Sequence, residues 1–195
     1  MKKIPTLFER DWNGDRSRVT SEVHAGCEWV LAGEGVPTRK LDGASCLVRD
    51  GKLYKRRELR KGDPAPPSFE AIDHDEEAGK TVGWVPVGDG PEDRYHREGF
   101  AFLMRMDGGA KDGTYELVGP KIQGNPEGLP EHQLVPHSSL FIHLLAENTP
   151  PRTFDALREW MAGQDIEGVV WHHPDGRMAK LKLRDFGLKR PKMAS

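Results

Sequence analysis

The chain has 195 residues, 36% of them hydrophobic and 31% charged, with a formal net charge of −2 and a mean hydropathy of −0.68. That length suffices for one large domain with a real core, and no apolar run approaches the roughly 18–20 residues that cross a bilayer, so no membrane partner is expected. The opening "MKKIPTLFERDWNGDR" has no apolar stretch behind its lysines and does not read as a signal peptide, and Cys27 and Cys46 are too few for a disulfide framework or a paired-thiol site, which points to the cytoplasm.

The near-neutral net charge hides segregation. Residues 39–61 carry Arg39, Lys40, Arg49, Lys52, Lys55, Arg56, Arg57, Arg60 and Lys61 against Asp42, Asp50 and Glu58, and residues 177–192 add seven bases against Asp185. Such stretches can build a polyanion-binding face or be ordinary solvated lysines; charge alone does not separate the two.

Plentiful glycine (22) and proline (15) favour short strands and turns. In chain order, "RKLDGASCLVRDGKLYKRRE" sets Lys40 between two strand-like segments and holds a hairpin around Asp50-Gly51, a two-residue turn signal. "KGDPAPPSFEAIDHDEEAGK", rich in proline and acids, reads as a long surface loop, and "GWVPVGDG" as loop packing around Trp84. "GDG" at 88–90 and "GGAKDG" at 108–113 lack the P-loop pattern and read as turns. Helical signal is sparse and clearest in "TPPRTFDALREWMAGQ", with Thr153 as N-cap, a stripe of Phe154, Leu157, Trp160 and Met161, and Gly163 at the end. A last hairpin turns at Asp175-Gly176. Taken as a two-residue turn, it sets Val169 opposite Lys182 and Glu167 opposite Arg184, with Glu167, Lys180 and Lys182 on one face and Gly168, Val170, Ala179, Leu181 and Leu183 on the apolar other. The class is α+β, with mostly antiparallel sheets and flanking helices.

Chemistry centres on Lys40. A lysine amine attacks only after losing its proton, which is rare near neutrality unless cationic neighbours or desolvation assist; Arg39, Arg56, Arg57, Lys180 and Lys182 are the candidate neighbours. The tetrapeptide "KLDG" carries little by itself. After it in the chain come "TYELVGP" with Glu116, "LVPHSSLFIHLL", "IEGVVW" with Glu167 and "AKLKL" with Lys180 and Lys182. In this order the sequence resembles the covalent nucleotidyltransferases, the superfamily of polynucleotide ligases and mRNA capping enzymes, with motifs I, Ia, III, IIIa, IV and V in turn. "TYELVGPKIQGNPEGL", "LVPHSS" and "IEGVVWHHPDGRMAKLKLRDFGLKRP" narrow it to the vertebrate-type 5′-to-3′ RNA ligases and their compact bacterial and phage relatives, akin to T4 RNA ligase 1, over roughly residues 26–191.

The resemblance implies one adenylyltransferase domain over 1–195 and an ATP-dependent RNA ligase. Lys40 would attack the α-phosphate of ATP and carry AMP. Asp42 and Gly43 would sit beside it in the nucleotide site, Asp42 orienting the amine or serving only as a turn residue. Arg57, with Arg56 as understudy, would bind phosphate. Glu116 would hold the ribose hydroxyls, Glu167 would hold Mg²⁺ (or Mn²⁺), and Lys180 and Lys182 would neutralise charge during transfer. Phe141 would stack on adenine or belong to the core. The substrate implied is RNA with 5′-phosphate and 3′-hydroxyl ends. Only "RDFGLKRPKMAS" follows motif V, leaving no room for a C-terminal OB-fold, so the grip on RNA falls to this domain or to a partner protein. Alternatives are a DNA ligase, a capping guanylyltransferase, a protein-modifying nucleotidyltransferase, or a non-catalytic RNA- or nucleotide-binding module. His137 has no assigned role, and adjacent His172 and His173, pointing to opposite faces of a strand, read as structural or RNA-contacting rather than metal-binding.

Overall fold

The computed structural model describes residues 3–76, 79–106, 108–139 and 148–191. In chain order its elements are β1 (Phe8–Arg10), β2 (Val19–Val23), α1 (Glu28–Leu31), β3 (Val36–Lys40), β4 (Ala44–Arg49), β5 (Lys52–Arg60), β6 (Glu70–Asp75), β7 (Lys80–Pro86), α2 (Arg94–Arg105), β8 (Gly113–Val118), β9 (Gln133–Pro136), α3 (Phe154–Ala162), β10 (Gly168–His172) and β11 (Met178–Lys182). Strand pairings are antiparallel, apart from an isolated parallel bridge between Thr6 and Lys180. The α+β class is the one read from the sequence. The chain divides into two compact units, Asp42–Ser139 with Lys3, and Ile4–Leu41 with residues 148–191. The sequence reading takes 1–195 as one domain and gives no sign of this division.

The first unit is built on a six-stranded sheet in the order β6-β7-β5-β4-β8-β9. Its first hairpin is the expected one: Arg49 pairs with Lys52 across Asp50 and Gly51, both at positive φ (51° and 68°), the backbone that a two-residue turn of this hand requires. Cys46, Val48, Leu53, Tyr115, Leu117 and Leu134 form the buried face of this sheet, joined by Leu103 from α2. Three expectations change here. The proline- and acid-rich stretch contains β6, an edge strand whose pairing with β7 slips at a bulge between Ala71 and Asp73, in keeping with the tolerance of edge strands for charge and irregularity. Trp84 lies within strand β7 rather than in a loop. Helix α2 is unanticipated, because Gly99 interrupts its pattern; a Cβ at that position would press into Leu117, so glycine lets the helix lie close on the sheet.

The second unit holds the sheet β11-β10-β3 and the β1–β2 pair. Val169, Trp171, Ala179 and Leu181 supply one sheet face of its core, packed with Leu7, Phe8 and Val30, and with Leu157 and Met161 of α3. The helix is the one expected: the Leu157 N–H donates to the Thr153 carbonyl at 2.8 Å, and Gly163 closes it. The β10–β11 hairpin corrects the expected register. Gly168 pairs with Lys182, Val169 with Leu181 and Val170 with Lys180. The turn is three residues long, with the Gly176 N–H donating to the His173 carbonyl (3.0 Å), the His173 N–H donating to the Arg177 carbonyl (2.9 Å), and Gly176 at φ 93°. This is a type I turn closed by a left-handed glycine bulge. The extra residue moves β10 by one place, so Gly168 and Val170, not Val169 and Trp171, share the lysines' face. Leu181→Ala, emptying a fully buried position, is expected to cost about 2–5 kcal/mol, read from the shift in urea midpoint at constant slope.

Candidate active site

In the second unit, β3 ends on Lys40, and the register continues across the sheet as Lys40–Gly168–Lys182 and Thr38–Val170–Lys180. Strand alternation puts Lys40, Lys180 and Lys182 on the face opposite the core, and puts Arg39 on the other face from Lys40. Gly168 leaves the middle of the first row bare. Glu167, one residue before β10, receives both flanking lysines: Lys40 Nζ donates to Oε2 at 2.5 Å, and Lys182 Nζ donates to Oε1. Lys40 Nζ also donates to the Leu41 carbonyl at 3.2 Å. The side chains of Lys40, Glu167 and Lys182 are 20%, 16% and 14% exposed, so water screens this triad poorly. Burial by itself pushes the Glu167 carboxyl up, but the two ammonium charges and their hydrogen bonds outweigh it and hold the carboxyl below its ordinary value. Lys182 moves down too, despite its carboxylate partner. Burial and the neighbouring Lys40 charge together exceed the attraction of Glu167. One carboxylate shared by two ammonium groups satisfies its own charge better than theirs.

A Cβ on Gly168 would strike the Leu181 carbonyl and the Lys182 Cα, both backbone. Gly168→Ala is therefore expected to destabilise by about 1–3 kcal/mol and to weaken anion binding on this face, as followed by thermal melting with and without pyrophosphate.

The first unit holds Glu116, 8% exposed, on β8. Its cross-strand partners are Ser45 on β4 and Val135 on β9. Because Cys46 faces Lys55, and Arg56 faces Trp84, Ser45, Arg56 and Glu116 share one sheet face. Arg57 alternates to the opposite face with Lys55, which is engaged by buried Asp93 at 2.5 Å. Arg56 shares the sheet face of Glu116, and Arg57 does not. Gly43 belongs to the same neighbourhood, since a Cβ there would meet the Leu117 carbonyl and Glu116 Cγ. The Asp42 backbone N–H donates to Glu127 Oε1 at 3.1 Å. "KLDG" thus crosses the boundary between the units, which falls between Leu41 and Asp42. Sequence reasoning left His137 without a role; its Nε2 donates to Glu116 Oε2 at 3.0 Å. Finding that pair needs the β8–β9 register, which local patterns do not reveal.

A family model described as "RNA ligase 1" matches residues 108–195. Vertebrate proteins named RNA ligase 1 align as well: that of Danio rerio is 31% identical over 146 residues, covering 60% of this chain and 43% of the relative; that of Mus musculus is 31% identical over 164 residues, covering 69% and 46%; and that of Pongo abelii is 40% identical over 83 residues, covering 38% and 24%. Over these segments the chain is similar to RNA ligases. It spans less than half the length of these relatives. The family match includes Glu116, Glu167, Lys180 and Lys182, while Lys40 lies outside the segment matched by the family model.

The remaining candidates have plainer partners. His172 Nε2 lies 3.0 Å from Thr38 Oγ1, and His173 lies between Glu34 (2.8 Å) and Asp175 (2.7 Å). Among the described residues no group of three or more His, Cys, Asp or Glu side chains is arranged to hold a metal ion. Both cysteines are buried, and burial pushes their thiols up, that of Cys27 to about 11, which suits inert packing rather than thiolate chemistry. Among the described residues no helix is long and apolar enough to cross a membrane. Phe141 lies outside the described residues.

Proposed function

We propose that the protein is an ATP-dependent RNA ligase that works through a lysyl-AMP on Lys40 and joins RNA 5′-phosphate and 3′-hydroxyl ends in the cytoplasm. The observation that carries this reading is the half-buried Lys40–Glu167–Lys182 triad in a chain similar to RNA ligases. In the first step the Lys40 amine forms a bond to the α-phosphorus of ATP, the bond to the β-phosphate oxygen breaks, and pyrophosphate leaves. An ammonium has no lone pair to offer, so attack requires Lys40 Nζ to give up a proton, to the Glu167 carboxylate or to solvent, as the Lys40–Glu167 pair opens. Lys182, and Lys180 one row along the same face, supply positive charge to the phosphate oxygens as negative charge builds there, the electrostatic part that dominates phosphoryl transfer. AMP then passes to an RNA 5′-phosphate, and a 3′-hydroxyl displaces it.

In this reading Asp42 and Gly43 line the nucleotide site, Arg57, or Arg56 in its place, binds phosphate, Glu116 binds the ribose, and Phe141 is the adenine-stacking candidate. Mg²⁺ or Mn²⁺ fits Glu167 in kind: such ions take one or two carboxylates plus substrate phosphates rather than a full protein cage. Bound there, the metal would neutralise phosphate charge, in competition with the two lysines for the carboxylate. RNA held by basic side chains should bind more weakly as salt rises. The test is intact mass after incubation with ATP and Mg²⁺. A gain of one adenylyl group, lost on adding 5′-phosphorylated RNA as joined product appears, supports the reading. No gain from protein first stripped with pyrophosphate, with ATP or GTP, would end it.

A further inference from the structure

We infer that His137 is a positioning residue for Glu116, and that through this contact the protein selects a nucleotide with an intact ribose diol; the inference rests on the adenylyl-transfer reading above. Four observations within the first unit carry it. His137 Nε2 and Glu116 Oε2 are 3.0 Å apart. A carboxylate only accepts, so Nε2 carries the hydrogen, and one of the two Glu116 oxygens is committed. The position of His137 is fixed by the sheet rather than by a loose loop: its backbone N–H donates to the Thr114 carbonyl at 3.0 Å, carrying the β8–β9 ladder one residue past Pro136. Strand parity then places His137, Val135 and Glu116 on the same face. Finally, two buried polar atoms beside this carboxylate, His137 Nδ1 and Ser45 Oγ, have no hydrogen-bond partner among the described residues, although Ser45 is the direct cross-strand partner of Glu116.

Buried polar atoms are nearly always paired. Two orphans flanking a buried acid mark a place whose hydrogen bonding is finished by something else. With Oε2 held by His137, the free groups are Oε1, an acceptor, and Ser45 Oγ, which both accepts and donates. A carboxylate repels phosphate but welcomes hydroxyl donors, and a ribose 2′,3′-diol presents two at fixed spacing. His137 does not have to touch the sugar. By fixing the carboxylate plane it aims Oε1, and a site built to hydrogen-bond a hydroxyl rejects the analogue that lacks it far more strongly than an apolar pocket rejects a missing methylene.

The experiment compares the wild-type chain, His137→Ala and His137→Gln in single-turnover lysyl-adenylate formation with ATP and with 2′-deoxy-ATP, alongside thermal melting. Wild type should prefer ATP. In His137→Ala that preference should fall about tenfold, through the KM for ATP, with 2′-deoxy-ATP nearly unaffected. His137→Gln should restore most of it, because its amide N–H can again donate to Oε2. Should the alanine variant fail to fold, His137→Leu, which fills the space without a donor, replaces it with the same expectation. An unchanged ATP preference in a folded variant overturns the inference, as does an equal fall for both nucleotides, the mark of a merely structural role. No preference in wild type overturns it as well. A wild type that takes no AMP from either nucleotide instead removes the ligase reading, and this inference with it.

Discussion

Replacing Lys40 by alanine is expected to abolish transfer of radiolabel from α-labelled ATP to the protein, leaving less than about one part in 10⁴ of the wild-type signal. Position and chemistry both demand it. A phosphoramide bond needs a nucleophilic nitrogen, and Lys180 and Lys182 cannot readily substitute. Lys180 stands a row away, opposite Val170, and Lys182 is held by Glu167 from the far side of Gly168. The variant should also fold. Lys40 closes strand β3, and its loss leaves the Glu167–Lys182 pair in place, so the poorly solvated carboxylate keeps one ammonium partner and is not left an unpaired charge. Retained stability with lost label separates a missing nucleophile from a broken fold. Lys40→Arg should fare no better, because a guanidinium does not deprotonate in proteins. Label persisting at the wild-type level on the denatured alanine variant would remove Lys40 from its role. Residual label moving to Lys182 on peptide mapping would show that the triad can exchange its nucleophile.

How much of this was legible beforehand depended on whether the deciding interaction was local. The Asp50-Gly51 hairpin and α3 were readable because a turn dipeptide and a 3.6-residue stripe are local statements, and their outcome did not depend on the rest of the chain. The β10–β11 register failed for an instructive reason. Asp-Gly by itself reads as the whole turn, while Pro174 joins it in a three-residue loop, and a single added residue exchanges the two faces of β10. Glu167 still met the lysines because it lies just outside the strand, where alternation no longer binds it. Helix α2 was hidden by Gly99, a residue present for a contact with Leu117 that only tertiary structure reveals. The choice between Arg56 and Arg57, and the pairing of His137 with Glu116, both rest on cross-strand register between segments far apart in sequence. Motif order pointed to the residues; it could not orient them.

Glu167→Gln is expected to damage activity and stability together, and to do so with a pH signature. Removing the carboxylate charge leaves the Lys40 and Lys182 ammonium groups near one another with only an amide between them. Breaking one side of a poorly solvated ion pair typically costs about 3–5 kcal/mol, and loss of this group should lower adenylyl transfer by about 10²-fold or more. The acid limb follows from linkage. The folded carboxyl titrates below its ordinary 4.5, so its contribution is fully present above that value and is lost as pH falls through the lower, folded one. The glutamine variant lacks this component, and its stability should therefore change less over the same acid window. At the alkaline end the sign reverses. Lys182 titrates below its ordinary 10.5 in the folded protein, a penalty on the charged form that is relieved as pH rises through the folded value. Without Glu167 that penalty grows, so the relief should begin at lower pH in the variant. Urea midpoints of both proteins from the acid to the alkaline limb would show the two curves converging at either end. Parallel curves, offset by a constant, would mean that Glu167 acts through packing and not through its charge on the two lysines.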